Sequence, residues 1–432
     1  SWYPQVITFS APHIVAETRW LHDPRYWRGN VEVLCVAQQD DGVYPNLLVD
    51  RRLFRYTNWL PSASVDALAV HPDRALGERL LDSFVRDVRG NATTFDPDGD
   101  GLLDPRDHYA TGMEFQPSFW FHQGYDDSKP ATDLERVDFT TYQAANAAAT
   151  AHLARMLGKD GLAEELDAAA ARARDALLAK CWHADDGFFY SLRASDDDPA
   201  RCKEVIGFYP FRFGLVPDEP RFDEALRALV DQKEFWTPYP AASAARSVPV
   251  FTPHVQQWPG PGGVVTACMW NGPTWPHANS LTADAMAVVV RTRRAPPFAA
   301  RDLGVFLDRF ARFHAEDGDA GKFLIREYGD GESGVNWGCA DYFHSTWCDL
   351  LIRHLGGLVP RHDGVLEIRP LALFAPDDPR ATFRFEDVPY HGRRVGIEVV
   401  RGKDLVVRLD GAVVARGDAR VGVQLDGALA AR

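Results

Sequence analysis

Apolar positions recur at spacings of three and four through most of the first 355 residues, and that period predicts helices. Clear cases are residues 13–21 (HIVAETRWL), 74–88 (RALGERLLDSFVRDV), 140–157 (TTYQAANAAATAHLARML) and 162–180 (LAEELDAAAARARDALLAK). Residues 23–48 read as a further helix giving way to a loop, and others fall near 219–232, 278–291, 297–314 and 341–355. Gly158 and Gly161 break the Ala-rich pair into a helical hairpin. Asp186-Gly187, inside CWHADDGFFYSLRA, predicts a β-hairpin. From 359 onward the period drops to two: VLEIRPL, ATFRFEDV, RRVGIEVV, KDLVVRLD and VGVQLDG are short runs separated by Gly and Asp.

Ten to twelve helices paired in sequence, with long loops between pairs, predict a mainly α barrel of helical hairpins over residues 1–358. A small antiparallel β-sandwich follows over 359–432, with the boundary near 356–360. No fixed 34-residue period is present, which disfavours a solenoid.

Composition changes this picture little. The 432 residues exceed a usual single core, and 46% apolar with 25% charged residues belong to a soluble globular chain. A net charge of −14 repels nucleic acid and anionic lipid, and no run of 18 apolar residues crosses a membrane. Cys35, Cys181, Cys202, Cys268, Cys339 and Cys348 are scattered without C-x-x-C pairs, so mostly free thiols are expected. The start at Ser1 carries no charged leader and leaves room for a missing N-terminal domain; the compartment, cytoplasmic or exported, stays open.

Residues 96–107 (DPDGDGLLDPRD) place Asp96, Asp98, Asp100, Asp104 and Asp107 at loop positions 1, 3, 5, 9 and 12, with Gly101 at 6 and the Leu102 carbonyl at 7. That order suits structural calcium. Position 12 is Asp rather than Glu, and a metal-free Asp/Gly turn is the alternative.

The chemistry gathers in loops rich in aromatics. Residues 112–130 (GMEFQPSFWFHQGYDDSKP) set Asp126 and Asp127 beside Phe119, Trp120, Phe121 and Tyr125. Aromatic faces stack on sugar rings, and a glycosidic bond needs a proton donor, so a carbohydrate substrate is indicated. Further aromatic loops are the Asn58-Trp59 turn, 258–276 and 323–337. Trp59, Trp120, Tyr125, Trp270, Trp275 and Trp337 are candidate stacking walls, or plugs in the core. Gln116, Gln123, Asn271 and His277 are candidates for sugar hydroxyls, His277 equally a capped core histidine. Glu114 serves a hydroxyl or a structural salt bridge, and Asp127 a hydrogen bond to substrate or solvent.

Three of these segments carry a resemblance. GYDDS (124–128), WNGPTWP (270–276) and REYGDGESG (326–334) resemble the signature regions of six-hairpin glycosidases of the trehalase and family 63 type, in particular the mannosylglycerate-hydrolase-like branch. The resemblance spans roughly 112–355 and implies an (α/α)6 barrel, an inverting and exo-acting hydrolase, Asp126 as general acid and Glu327 as general base. Gly329 stands where the family usually has Tyr, so Glu332 remains a rival to Glu327.

Read from the residues, Asp126 among aromatics and beside Asp127 should be favoured in its acidic form, while Glu327 beside Arg326 should stay ionised. A turn carboxylate and a surface ion pair are the plainer alternatives for the two. No His/Cys metal cluster, G-x-S-x-G elbow or phosphate-cradling loop occurs, so no organic cofactor is expected. A phosphorylase or isomerase on the same barrel, or a carbohydrate-binding protein without turnover, are the competing readings.

Overall fold

The structure is a computed structural model and describes residues 6–46, 55–263, 268–315, 321–324, 326–342 and 344–429. The three-and-four spacing is realised as helices α1 (Ala11–Thr18), α2 (Arg25–Ala37), α3 (Leu60–Val70), α4 (Arg74–Phe95), α5 (Val137–Met156), α6 (Asp160–Ala176), α7 (Tyr209–Arg212), α8 (Asp223–Val230), α9 (Pro276–Thr292), α10 (Ala300–Phe313) and α11 (Trp347–Leu350).

Two kinds of helix are present. In α10, Leu303, Phe306, Leu307, Phe310 and Phe313 form one buried stripe and the rest is wet. In α3, α5 and α9 nearly every side chain is buried, and small residues such as Ala144, Ala147 and Ala151 let neighbouring helices approach. Asp73 starts α4 by accepting a hydrogen bond from the Leu76 N–H at 2.9 Å. That helix runs to Phe95, further than its apolar period suggests, and delivers the chain to the acidic loop.

Helix gives way to strand between Leu355 and Leu358. Strands 383–390, 393–400, 404–409 and 412–418 form an antiparallel meander, and 358–359, 366–368 and 423–425 form a second antiparallel sheet. Val395, Ile397 and Val399 alternate inward with Leu405, Val407 and Leu409. They share one apolar cluster with Leu366 and Ile368, and with Trp20, Val70 and Ile352 of the helical region. All six cysteines are free thiols. No helix among the described residues is long and apolar enough to cross a membrane.

A buried ionic knot ties the first helix to the last. Asp349, 3% exposed, accepts from Arg19 Nε at 3.0 Å, Arg19 Nη2 at 2.5 Å, Trp20 Nε1 at 2.7 Å and Arg353 Nη1 at 3.1 Å. Burial works against its ionised form, and Arg19 and Arg353 outweigh it, holding the carboxyl below the usual range. Asp349→Ala leaves the buried Arg19 with only Asp66 at 3.5 Å, while Arg353 keeps Asp284 at 3.0 Å, and is expected to cost about 3–5 kcal/mol in chemical denaturation. A loss under about 1 kcal/mol would mean that water replaces the carboxylate.

Candidate active site

The chain reaches its acidic pocket through a close backbone contact. Gly112 adopts φ +68°, and a Cβ there would meet the Phe9 ring at 2.6 Å and the Tyr56 hydroxyl at 2.7 Å. Only glycine passes, and two residues later Glu114 enters the wall of a cavity of about 170 Å3. Glu327 lines the same cavity, with Trp275, Tyr342 and His344.

Glu327 sits at an irregularity in the hairpin formed by Arg326–Gly329 and Asn336–Ala340. Cys339 N–H donates to its Oε2 at 3.1 Å. A Cβ on Gly338 would lie 2.6 Å from that oxygen, so the glycine makes room for the carboxylate. His344 donates from Nε2 to the Glu327 carbonyl at 2.7 Å, and burial pushes its pKa down to about 3, so the imidazole is neutral.

The indole floor comes from the tryptophan segment. Trp270 stacks on Trp275 at 4.0 Å, and Trp275 on Tyr328 at 4.3 Å, each 11° from parallel. Thr274 and Gly329 exchange backbone hydrogen bonds of 2.9 and 3.0 Å, which joins this segment to the Glu327 hairpin. Trp275 Nε1 donates to the Met269 carbonyl at 2.9 Å, fixing the ring that faces the cavity.

The two acids differ in environment. Burial, and then the negative charge of Glu327, push the Glu114 carboxyl up to about 7. Glu327 is also raised by burial, but the Cys339 N–H works in the opposite direction and favours the carboxylate. Acid–base catalysis on a glycosidic bond requires one carboxyl that keeps its proton and one that ionises, and Glu114 is the one pushed up to about 7.

Asp126 requires a correction. It is outside the cavity lining, on a turn in which Gly124 and Tyr125 both have positive φ. The Ser128 hydroxyl donates to it at 2.5 Å, Lys129 Nζ lies 3.5 Å away, and its pKa is held below the ordinary carboxylate value, chiefly by Ser128. The expected desolvation is missing because the turn faces solvent. Asp127 packs against Gly262, outside the lining of this cavity. Glu332 pairs with Arg246 outside the lining.

The other candidates separate by burial. Trp59 is enclosed beneath Arg212 at 4.3 Å, and Trp120 stacks on Phe115 while donating to the Lys129 carbonyl. Gln116 accepts from Arg136, Gln123 bonds Thr132 and the Pro130 carbonyl, and Asn271 donates to the Val250 and Gln257 carbonyls. Tyr125 reaches Cys202, and Trp337 is 42% exposed on the hairpin. In the structure these side chains make the contacts just named, and none of them lines the cavity that holds Glu114 and Glu327. His277 stacks on Phe9 at 3.7 Å, behind the wall rather than on it. Phe9, Tyr56, Tyr342 and His344 were not anticipated; they come from distant segments with no common motif.

In the acidic loop the carboxylates of Asp96, Asp98 and Asp100 converge, with oxygens within 4.8 Å of one another. Asp104 and Asp107 do not join them, because their Oδ1 atoms accept from Arg106 N–H at 2.6 Å and Tyr109 N–H at 2.9 Å. Leu102 is buried, its N–H donating to Asp100. Of the residues expected in the wrap, the structure brings the carboxylates of Asp96, Asp98 and Asp100 together.

Several solved structures are similar in fold. One described as a sialidase is 23% identical over 98% of this chain with a TM-score of 0.82, and this chain spans 37% of its length. The family 63 mannosylglycerate hydrolase from Thermus thermophilus, solved with glucose, is 17% identical over 81% of this chain and 92% of its own, with a TM-score of 0.60. A family 78 rhamnosidase from a Bacillus species is 12% identical over 95% of this chain and 38% of its own, at 0.64.

The chain carries a glycoside hydrolase domain. It belongs to the mannosylglycerate hydrolase MGH1-like glycoside hydrolase domain family, whose model matches residues 3–345.

Proposed function

We propose that this chain is the catalytic part of an inverting, exo-acting glycoside hydrolase in which Glu114 protonates the leaving oxygen and Glu327 activates water. The observation that carries this reading is the pair of carboxyls on one cavity, one with a pKa near neutrality. Nearly buried helices α3, α5 and α9 beside amphipathic partners support an (α/α)6 barrel over 1–358. Two antiparallel sheets sharing a core support a sandwich over 359–432.

A cavity of about 170 Å3 suits a single sugar ring rather than a chain passing through, which favours cleavage at an end. Among the described residues its lining holds two acids, Glu114 and Glu327. Water enters the reaction and no organic cofactor is needed.

The test is a panel of aryl glycosides and oligosaccharides, with the first-formed anomer followed by NMR. Release of one terminal sugar with inverted configuration is expected. A retained anomer overturns the inverting mechanism, acceleration by inorganic phosphate converts the reading to a phosphorylase, and binding without any product converts it to a binding protein.

A further inference from the structure

Three segments bring acids together at the end of α6. The loop after α4 supplies Asp96, Asp98 and Asp100, the strand Leu134–Glu135 supplies Glu135, and the turn before Asp198–Pro199 supplies Asp197. Carboxylate oxygens of Asp100, Glu135 and Asp197 lie within 4.8 Å of one another, and Asp100 also belongs to the Asp96–Asp98 group. Glu135 is only 4% exposed and its Oε2 has no hydrogen-bond partner; the Oδ1 of Asp96, 8% exposed, has none either. Buried carboxylate oxygens are costly without a donor or a cation.

The protein's own cations satisfy part of this demand. Lys180 Nζ bridges Asp100 and Asp197, the latter at 2.9 Å, and Arg172 holds Asp96 at 2.5 Å. Five acids face two cations.

We infer that Asp96, Asp98, Asp100, Glu135 and Asp197 form a binding site for one calcium ion centred on Asp100. An all-oxygen set with several charged ligands from separate segments suits calcium's large, irregular shell better than the rigid octahedron of magnesium. The ion clamps the loop leading to Gly112 and Glu114 onto the strand and turn that follow. It differs from the loop wrap read in the sequence, because Glu135 and Asp197 replace Asp104 and Asp107. Lys180, 34% exposed, yields its place by turning toward water.

The full chain, stripped with chelator, is titrated with calcium chloride by calorimetry and by thermal unfolding, with magnesium chloride for comparison. One calcium per chain is expected, with a melting temperature that climbs with the logarithm of its concentration and a weaker response to magnesium. Glu135→Gln and the surface variant Asp197→Asn should each weaken binding by roughly tenfold or more, whereas Lys180→Met should tighten it. Absence of heat and of any thermal shift in the unaltered chain overturns the proposal. So does undiminished binding in both acid variants, which places the ion on the 96–100 loop alone.

Discussion

Glu114→Gln is expected to lower turnover of unactivated glycosides roughly 10²- to 10⁴-fold, the usual worth of a positioned acid. The loss should shrink sharply on dinitrophenyl glycosides, whose leaving group departs as a stable anion without a proton. The pH profile provides a second readout. With the Glu114 carboxyl pushed up to about 7, kcat/KM of the unaltered enzyme falls as pH rises through that value. On an activated substrate the variant should lose this limb. The variant should also fold well. A carboxyl whose folded pKa lies above its unfolded value stabilises relative to its charged form only at low pH, and that contribution is lost as pH rises through about 7. Glutamine removes the penalty, so the variant should be at least as stable at pH 8. Equal losses on both substrate types, with the alkaline limb intact, would take the donor role from Glu114. Asp126→Asn is the matching control: its carboxyl is tied to Ser128 and Lys129, and little activity should be lost.

How much could be read beforehand depended on whether a residue's surroundings were local. Helices with one wet face, such as α4 and α10, show their period plainly. α3 did not, since LPSASVDALAV is small or apolar on every side and packs all round. Strands 393–400 and 404–409 alternate as read because one face meets the shared core. At the site, Glu327 and Trp275 were legible through Gly, Pro and Trp in short signature segments. Aromatic neighbours in sequence suggest desolvation of Asp126, while two positive-φ residues turn it outward. Glu114 was recognised only as a hydroxyl ligand. Its raised pKa depends first on burial, in a cavity whose wall includes Phe9 and Tyr56, and then on the charge of Glu327, 213 residues further along the chain. The one local sign was Gly112, a glycine forced into left-handed backbone two residues before an acid.

Glu327→Ala is expected to remove nearly all hydrolysis, roughly 10²- to 10⁴-fold or more, on activated and unactivated substrates alike. Water must lose a proton to the carboxylate as it attacks, and no leaving group relieves that need. The acid limb of kcat/KM should report the same group. Burial raises the Glu327 pKa, so activity climbs as the carboxyl ionises above its ordinary range, and the variant should lose that climb. Azide separates a base from a merely structural acid. It attacks as an anion, forms the carbon–nitrogen bond while the carbon–oxygen bond breaks, and needs no base; Glu114 still protonates the departing oxygen. Added azide should therefore restore turnover to Glu327→Ala and give a glycosyl azide of inverted configuration, with no effect on Glu114→Gln acting on unactivated substrates. Glu332 pairs with Arg246 away from the lining, so Glu332→Gln is expected to leave turnover largely intact. A folded Glu327→Ala enzyme that azide fails to rescue, and that keeps the acid limb, would show that another group activates the water.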